Sequence, residues 1–207
     1  NALIEFNKLE KKGGSIMGNL NVSPGNYSKI IFEKFNTKEF QKIIEKLSSR
    51  KFSSFDIASG GNLNFQYKYN QHFHTDSKFV NSFLIVNVVV EDIYETNGPL
   101  EILPGTQKEN LPYWKIIFKK SLKILAKKGD LIIRTSNLWH RGTINTSKNP
   151  RLLLAYIFKD KINDEAKLEF EDNKNLIISN NLFKSNIRGT IKESFYTRFS
   201  YLYKSYR

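Results

Sequence analysis

Three kinds of hydrophobic spacing divide the chain. Between Thr37 and Ser48 the spacing is helical: Phe40, Ile43, Ile44 and Leu47 fall on one stripe, and Lys38, Lys42, Glu45 and Lys46 fall mostly on the opposite face. That pattern predicts an outer helix packed on a sheet. Asn36 is placed to cap it, with Glu39 three positions on, and Phe35 and Phe40 to staple its entry. The next spacing has period two. Leu63, Phe65, Tyr67 and Tyr69 alternate with Asn64, Gln66, Lys68 and Asn70, which predicts a half-buried strand whose aromatic rings are divided between core and cavity lining. The last is a nearly continuous apolar run, Phe79 to Val90, read as an inner strand or strand pair. Asn87 interrupts it, and a buried amide must find partners, either inside the fold or on a ligand.

Turn residues set the boundaries. Gly13, Gly14, Gly18, Pro24 and Gly25 mark residues 13–28 as turns and short extended pieces. Asn97-Gly98 and Pro104-Gly105 bracket a short strand from Leu100 to Leu103. Lys108 to Lys120, which contains Trp114, is a surface excursion and a candidate lid. Leu122, Ile124 and Ala126 then alternate with lysines, Gly129-Asp130 turns into Leu131-Ile132-Ile133, and Arg151 opens the apolar run Leu152 to Phe158. Many short strands separated by turns predict an all-β core, a closed antiparallel double sheet with flanking helices. Beyond Lys159 the pattern weakens into pieces packed outside the main sheets. One domain over 1–207 is expected: N-terminal turns and outer helix in 1–50, a β core in 51–158 and a C-terminal extension in 159–207.

Composition narrows the chemistry. A chain of 207 residues with sixteen phenylalanines can fill one sizeable core. Its net charge of +13 attracts anionic ligands, although many lysines beside asparagines read as a solvated face. The absence of cysteine removes disulfides, thiolate nucleophiles and sulfur-ligated metals. Charges in Asn1 to Lys12 argue against a signal peptide, and Phe83 to Val90 is too short to span a bilayer. A soluble, cytoplasmic protein without membrane insertion is the expectation. From Lys184 to Arg207, basic residues interleave with Phe195, Tyr196, Phe199, Tyr201, Tyr203 and Tyr206. Such a tail can bind nucleic acid by phosphate attraction and stacking, but more often packs its rings back on the domain.

The candidate chemistry lies in His72-Phe73-His74-Thr75-Asp76. On an extended backbone His74 and Asp76 point the same way while Thr75 points away, so the pair can offer an imidazole nitrogen and a carboxylate oxygen to one ion. With only three histidines in the chain, a third ligand is His72, on the same face, or the distant His140. Two histidines and one carboxylate with open positions suit a non-haem Fe(II) oxygenase. Arg151, at the edge of a buried strand, needs an anion, and its fork suits a dicarboxylate.

These residues resemble the phytanoyl-CoA dioxygenase-like family of Fe(II)/2-oxoglutarate-dependent oxygenases. The resemblance runs through His74-Thr75-Asp76, Asn97 to Thr106, Gly129 to Ile133, and Trp139-His140-Arg141-Gly142 with Asn145, Ser147 and Arg151. It implies a double-stranded β-helix (jelly-roll, cupin-like), with His74, Asp76 and His140 as iron ligands and Arg151 on the distal carboxylate of 2-oxoglutarate. Asn87, Thr143 and Ser147 are the expected helpers in cosubstrate binding, and His72, Tyr67 and Trp139 the expected substrate contacts. The implied reaction consumes oxygen, releases succinate and CO2 and hydroxylates a small molecule whose identity the resemblance leaves open, while the net positive charge favours an anionic one. Gln107 departs from the histidine many relatives carry there. Asp76 is retained where related halogenases lose the carboxylate, which argues against halogenation. A cupin-like metal-dependent isomerase or binding protein, and a basic nucleic-acid-binding domain, stay open as other classes.

Overall fold

The computed structural model describes residues 19–23, 26–66, 70–71, 73–77, 83–116, 118–161 and 177–178. Two helices precede the sheets, α1 (Asn26–Phe35) and α2 (Lys38–Ser48). Thr37, not Asn36, caps α2: its backbone is extended and its Oγ1 accepts a hydrogen bond from the Phe40 amide at 3.2 Å. The cap is displaced because α1, whose first three residues fall in the stretch expected to be turns, ends immediately before Asn36. The Asn36 amide still donates to Phe32 O in the last turn of α1, and its side chain accepts from Gln41 Nε2. Phe35 and Phe40 do meet edge to face, with ring centroids 5.1 Å apart.

The strands are β1 (Asn19–Ser23), β2 (Phe55–Asn64), β3 (Phe83–Val89), β4 (Leu100–Ile102), β5 (Leu122–Ile124), β6 (Leu131–Thr135), β7 (His140–Gly142), β8 (Arg151–Asp160) and β9 (Ile177–Ile178). They form two antiparallel sheets, one in the order β6-β3-β8-β2-β1-β9 and one in the order β5-β4-β7. The segments expected to lie outside the core thus supply strands to it: β1 pairs with β2, and β9 with β1.

Strand alternation explains both faces of the larger sheet. Along β8, Leu154, Tyr156 and Phe158 pack with Phe32, Phe40 and Ile44 of the helices. The intervening Leu153, Ala155 and Ile157 line a cavity on the other side. β3 divides the same way, Leu84, Val86 and Val88 toward the helices and Ile85 and Asn87 toward the cavity. Covered on both faces, such strands read as continuous apolar runs. The helix-side core is aromatic: Phe158, fully buried, has Phe32, Phe40, Phe52 and Phe55 within 6.3 Å of its ring centroid. Burial of each such side chain contributes roughly 1.5–3 kcal/mol.

Among the described residues the closed double sheet expected from the strand count is not seen. Isolated bridges outside the named strands pair Gln66 with Asn145, His74 with His140, Ile93 with Ala126 and Asn97 with Asn145, and no continuous ladder among the described residues joins one sheet to the other.

Candidate metal centre and its cavity

One bridge positions the chemistry. The His74 amide donates to His140 O and the His140 amide donates to His74 O, both at 2.9 Å. Two histidines distant in sequence are thereby fixed side by side, with ring centroids 4.5 Å apart. The Asp76 amide donates to Ser136 O. His74 and Asp76 both face the cavity, while Thr75 is buried outside its lining. One ligand atom from each of His74, Asp76 and His140 lies within 4.8 Å of the others.

The partners of these groups set their chemical state. His140 Nδ1 lies 2.9 Å from Leu138 O. A carbonyl only accepts, so Nδ1 carries the proton and Nε2, 3.5 Å from Asp76 Oδ2, presents its lone pair to the cluster. Burial pushes the Asp76 carboxyl up, but Arg134, His140 and His74 together hold it far below the usual carboxylate range. The Arg134 contribution is direct, because its Nη1 donates to Asp76 Oδ2 at 2.6 Å. The sequence reading missed Arg134. Its signal was the one that singled out Arg151, a guanidinium adjoining an apolar run.

Arg151 opens β8 in the cavity wall and is 3% exposed. Its Nε donates to Asn97 O at 3.3 Å and its Nη2 to Gly98 O at 2.7 Å. Nη1 is buried with no partner among the described residues. Burial lowers the guanidinium pKa to about 10, opposed by Glu91, so it stays cationic at neutral pH. The carbonyl brace depends on Gly98, whose φ is +77° and whose added Cβ would lie 2.4 Å from Asn64 Nδ2. Gly98→Ala is expected to destabilise the fold by roughly 2–3 kcal/mol in urea unfolding, through backbone strain plus that contact. It should also weaken whatever Arg151 holds.

The remaining candidates divide. Asn87 lines the cavity, with Nδ2 donating to Leu154 O and a buried Oδ1 that has no partner among the described residues. Thr143 and Ser147 are not in the cavity lining: their hydroxyls donate to Pro99 O, and to Asn145 Oδ1 and Asn149 O, within the turns around them. Trp139 is buried against Leu103, Leu111 and Ile116, with Nε1 donating to Leu111 O, and it too lies outside the lining. These three side chains hold the loops behind the site rather than facing it. Tyr67, His72 and the basic aromatic stretch 184–207 lie outside the described residues.

The cavity, about 560 Å³, is of small-molecule size. Its donor set suits a divalent first-row ion with open positions, and the unpartnered Arg151 Nη1 suits a carboxylate beyond it. The sequence model of the family described as Phytanoyl-CoA dioxygenase (PhyH) matches residues 36–153. The chain belongs to this family. As a phytanoyl-CoA dioxygenase family member it is an Fe(II)- and 2-oxoglutarate-dependent oxygenase, with His74, Asp76 and His140 as the metal site.

Solved structures share its fold. The non-haem α-ketoglutarate-dependent epimerase SnoN from nogalamycin biosynthesis matches with TM-score 0.57 and 16% identity, over 77% of this chain and 70% of that one. EvdO2 from Micromonospora carbonacea var. aurantiaca, complexed with 2-oxoglutarate, matches with TM-score 0.55 and 14% identity over 78% and 76%. The carbocyclase SnoK, also from nogalamycin biosynthesis, matches with TM-score 0.56 and 14% identity over 77% and 72%. No curated protein sequence matches this chain. No helix among its described residues is long and apolar enough to cross a membrane.

Proposed function

We propose that this enzyme hydroxylates a small molecule in the cavity between the two sheets, releasing succinate and CO2. The observation that carries the reading is the meeting of His74, Asp76 and His140, one ligand atom each within 4.8 Å, at a cavity also lined by Arg151. In this reading the two sheets are the halves of a double-stranded β-helix, with the segment at His74 adding an edge to the smaller sheet beside β7. Residues 1–207 are taken as one oxygenase domain, and the enzyme is assigned to the cytoplasm, whose reducing poise favours ferrous iron.

Each side chain then has a task. His140 offers Nε2 because Leu138 O fixes its Nδ1–H. Asp76 stays ionised because Arg134 neutralises it. Arg151 Nη1 receives the distal carboxylate of 2-oxoglutarate, and Asn87 contributes a second polar contact from the neighbouring strand β3. Thr143, Ser147 and Trp139 act by positioning the loops that carry His140 and Arg151. Bound Fe(II) supplies oxygen activation coupled to oxidative decarboxylation of the cosubstrate. The apolar walls, including Ile85, Leu153 and Ile157, limit water around the reacting centre.

The test is anaerobic loading with Fe(II) and 2-oxoglutarate, then oxygen with a substrate panel, reading succinate and products. Succinate formation requiring all three components and raised by a panel member, with a hydroxylated product, is the expected result. Turnover without oxygen or 2-oxoglutarate would instead mark a cupin-like isomerase. The epimerase and carbocyclase names of two fold relatives make product analysis part of the experiment.

A further inference from the structure

Resting on that function, we infer that the substrate carries a carboxylate and that Arg134 is its anchor. Arg134 lines the cavity on β6, and its side chain is only 10% exposed. One of its donors, Nη1, is taken by Asp76 Oδ2. Among the described residues the buried Nε has no partner, and Nη2 makes no hydrogen bond. A planar guanidinium with an unused edge is shaped for two parallel hydrogen bonds to a carboxylate.

The position separates this anchor from Arg151. Arg134 pairs with Ile85 on β3, and Ile85 pairs with Ile157 on β8. Arg151 begins β8, so the two backbones stand roughly 20 Å apart along the strand direction at about 3.3 Å per residue. Glu91, the acid that acts on Arg151, accepts from the Leu152 amide at that far end. At the Arg134 end the only carboxylate that the described residues bring to the cavity lining is Asp76. A guanidinium and a ferrous ion there face Asp76 and the chelating carboxylate of 2-oxoglutarate, which leaves one positive charge uncompensated. An uncompensated charge on a side chain this buried is costly, and a carboxylate on the substrate offsets the cost. The cation therefore selects acids over their amides or esters, and it places the carbon to be oxidised within one small molecule's length of the acid group.

The probe is a set of small carboxylic acids, each paired with its carboxamide. Binding is followed by ligand-observed NMR to protein loaded anaerobically with Fe(II) and saturating 2-oxoglutarate. The Fe(II)–2-oxoglutarate absorption band confirms loading independently of turnover; if the wild type never develops the band, the function proposed above has failed. In loaded wild type, acids are expected to bind at least tenfold tighter than their amides. Arg134→Gln should erase that preference, and Arg134→Lys should keep part of it, because charge survives without the fork. Since Arg134 also braces Asp76, metal affinity is measured in both variants and binding is compared at saturating metal. Equal binding of acids and amides to loaded wild type would overturn the anchor. So would an acid preference that persists in Arg134→Gln, or an Arg134→Gln defect confined to 2-oxoglutarate affinity.

Discussion

Replacing His140 with alanine is expected to lower succinate formation by about 10³ or more and to weaken Fe(II) binding in parallel. The expectation follows from the division of labour at this residue. Its backbone makes both hydrogen bonds to His74, and alanine keeps them, so the corner of the fold should survive. Its side chain supplies Nε2, oriented by Leu138 O, and nothing else in the described cluster replaces it. Removing one of three protein ligands takes away several kcal/mol of metal-derived stabilisation, and each 1.36 kcal/mol is a factor of ten in rate. Anaerobic Fe(II) titration together with steady-state succinate release reads the two losses. Wild-type metal affinity in a folded His140→Ala protein would contradict the assignment. Asp76→Asn is a milder companion: it keeps an oxygen donor but not the charge, and it strands Arg134 beside a neutral group.

Arg151→Met is expected to act on the cosubstrate rather than on the metal. Truncating one partner of a buried, hydrogen-bonded charge pair costs about 2–5 kcal/mol, so the KM for 2-oxoglutarate should rise by roughly 30-fold to several thousandfold. Fe(II) affinity should change little, because Arg151 touches no metal ligand: its bonds go to Asn97 O and Gly98 O. Losing those bonds leaves two buried carbonyls short of a donor, a stability cost of about 1–3 kcal/mol that thermal unfolding would register. Arg151→Lys should recover part of the affinity, through charge without the two-pronged fit. An unchanged 2-oxoglutarate affinity in Arg151→Met would remove the residue from cosubstrate binding.

The metal cluster was legible in the sequence because its logic is local. A His-x-Asp pair on extended backbone presents both groups to one side whatever the rest of the fold does, and a chain with three histidines offers few third ligands. The place of Arg151 in the cavity wall was legible for a related reason, a fixed charge at the edge of an apolar strand. Arg134 carries the same signature next to Leu131-Ile132-Ile133, but its partner Asp76 is brought to it only by tertiary pairing. Thr143, Ser147 and Trp139 show the opposite failure. Their side chains suit a binding site by type, yet their hydrogen bonds are taken by the turns and loops around them, and which way a turn aims a hydroxyl is not encoded in its residue type. The helix α1 was missed because its consecutive apolar residues Ile30, Ile31 and Phe32 blur the single stripe that marks α2, and Ile30 remains exposed. With α1 unseen, the cap of α2 was placed one residue early. The strand pattern showed an all-β core but not how its corners join, since isolated bridges such as Ile93 to Ala126 depend on backbone geometry rather than side-chain period.

The central claim is that His74, Asp76 and His140 hold a single ion, and a crystal equilibrated anaerobically with Fe(II) tests it most directly. The anomalous difference map at the iron edge is expected to show one dominant peak, about 2.0–2.2 Å from an imidazole nitrogen of His74, a carboxylate oxygen of Asp76 and Nε2 of His140, the range found for first-row divalent ions. A peak held by other side chains, or His140 rotated away from a peak on His74 and Asp76, would contradict the account.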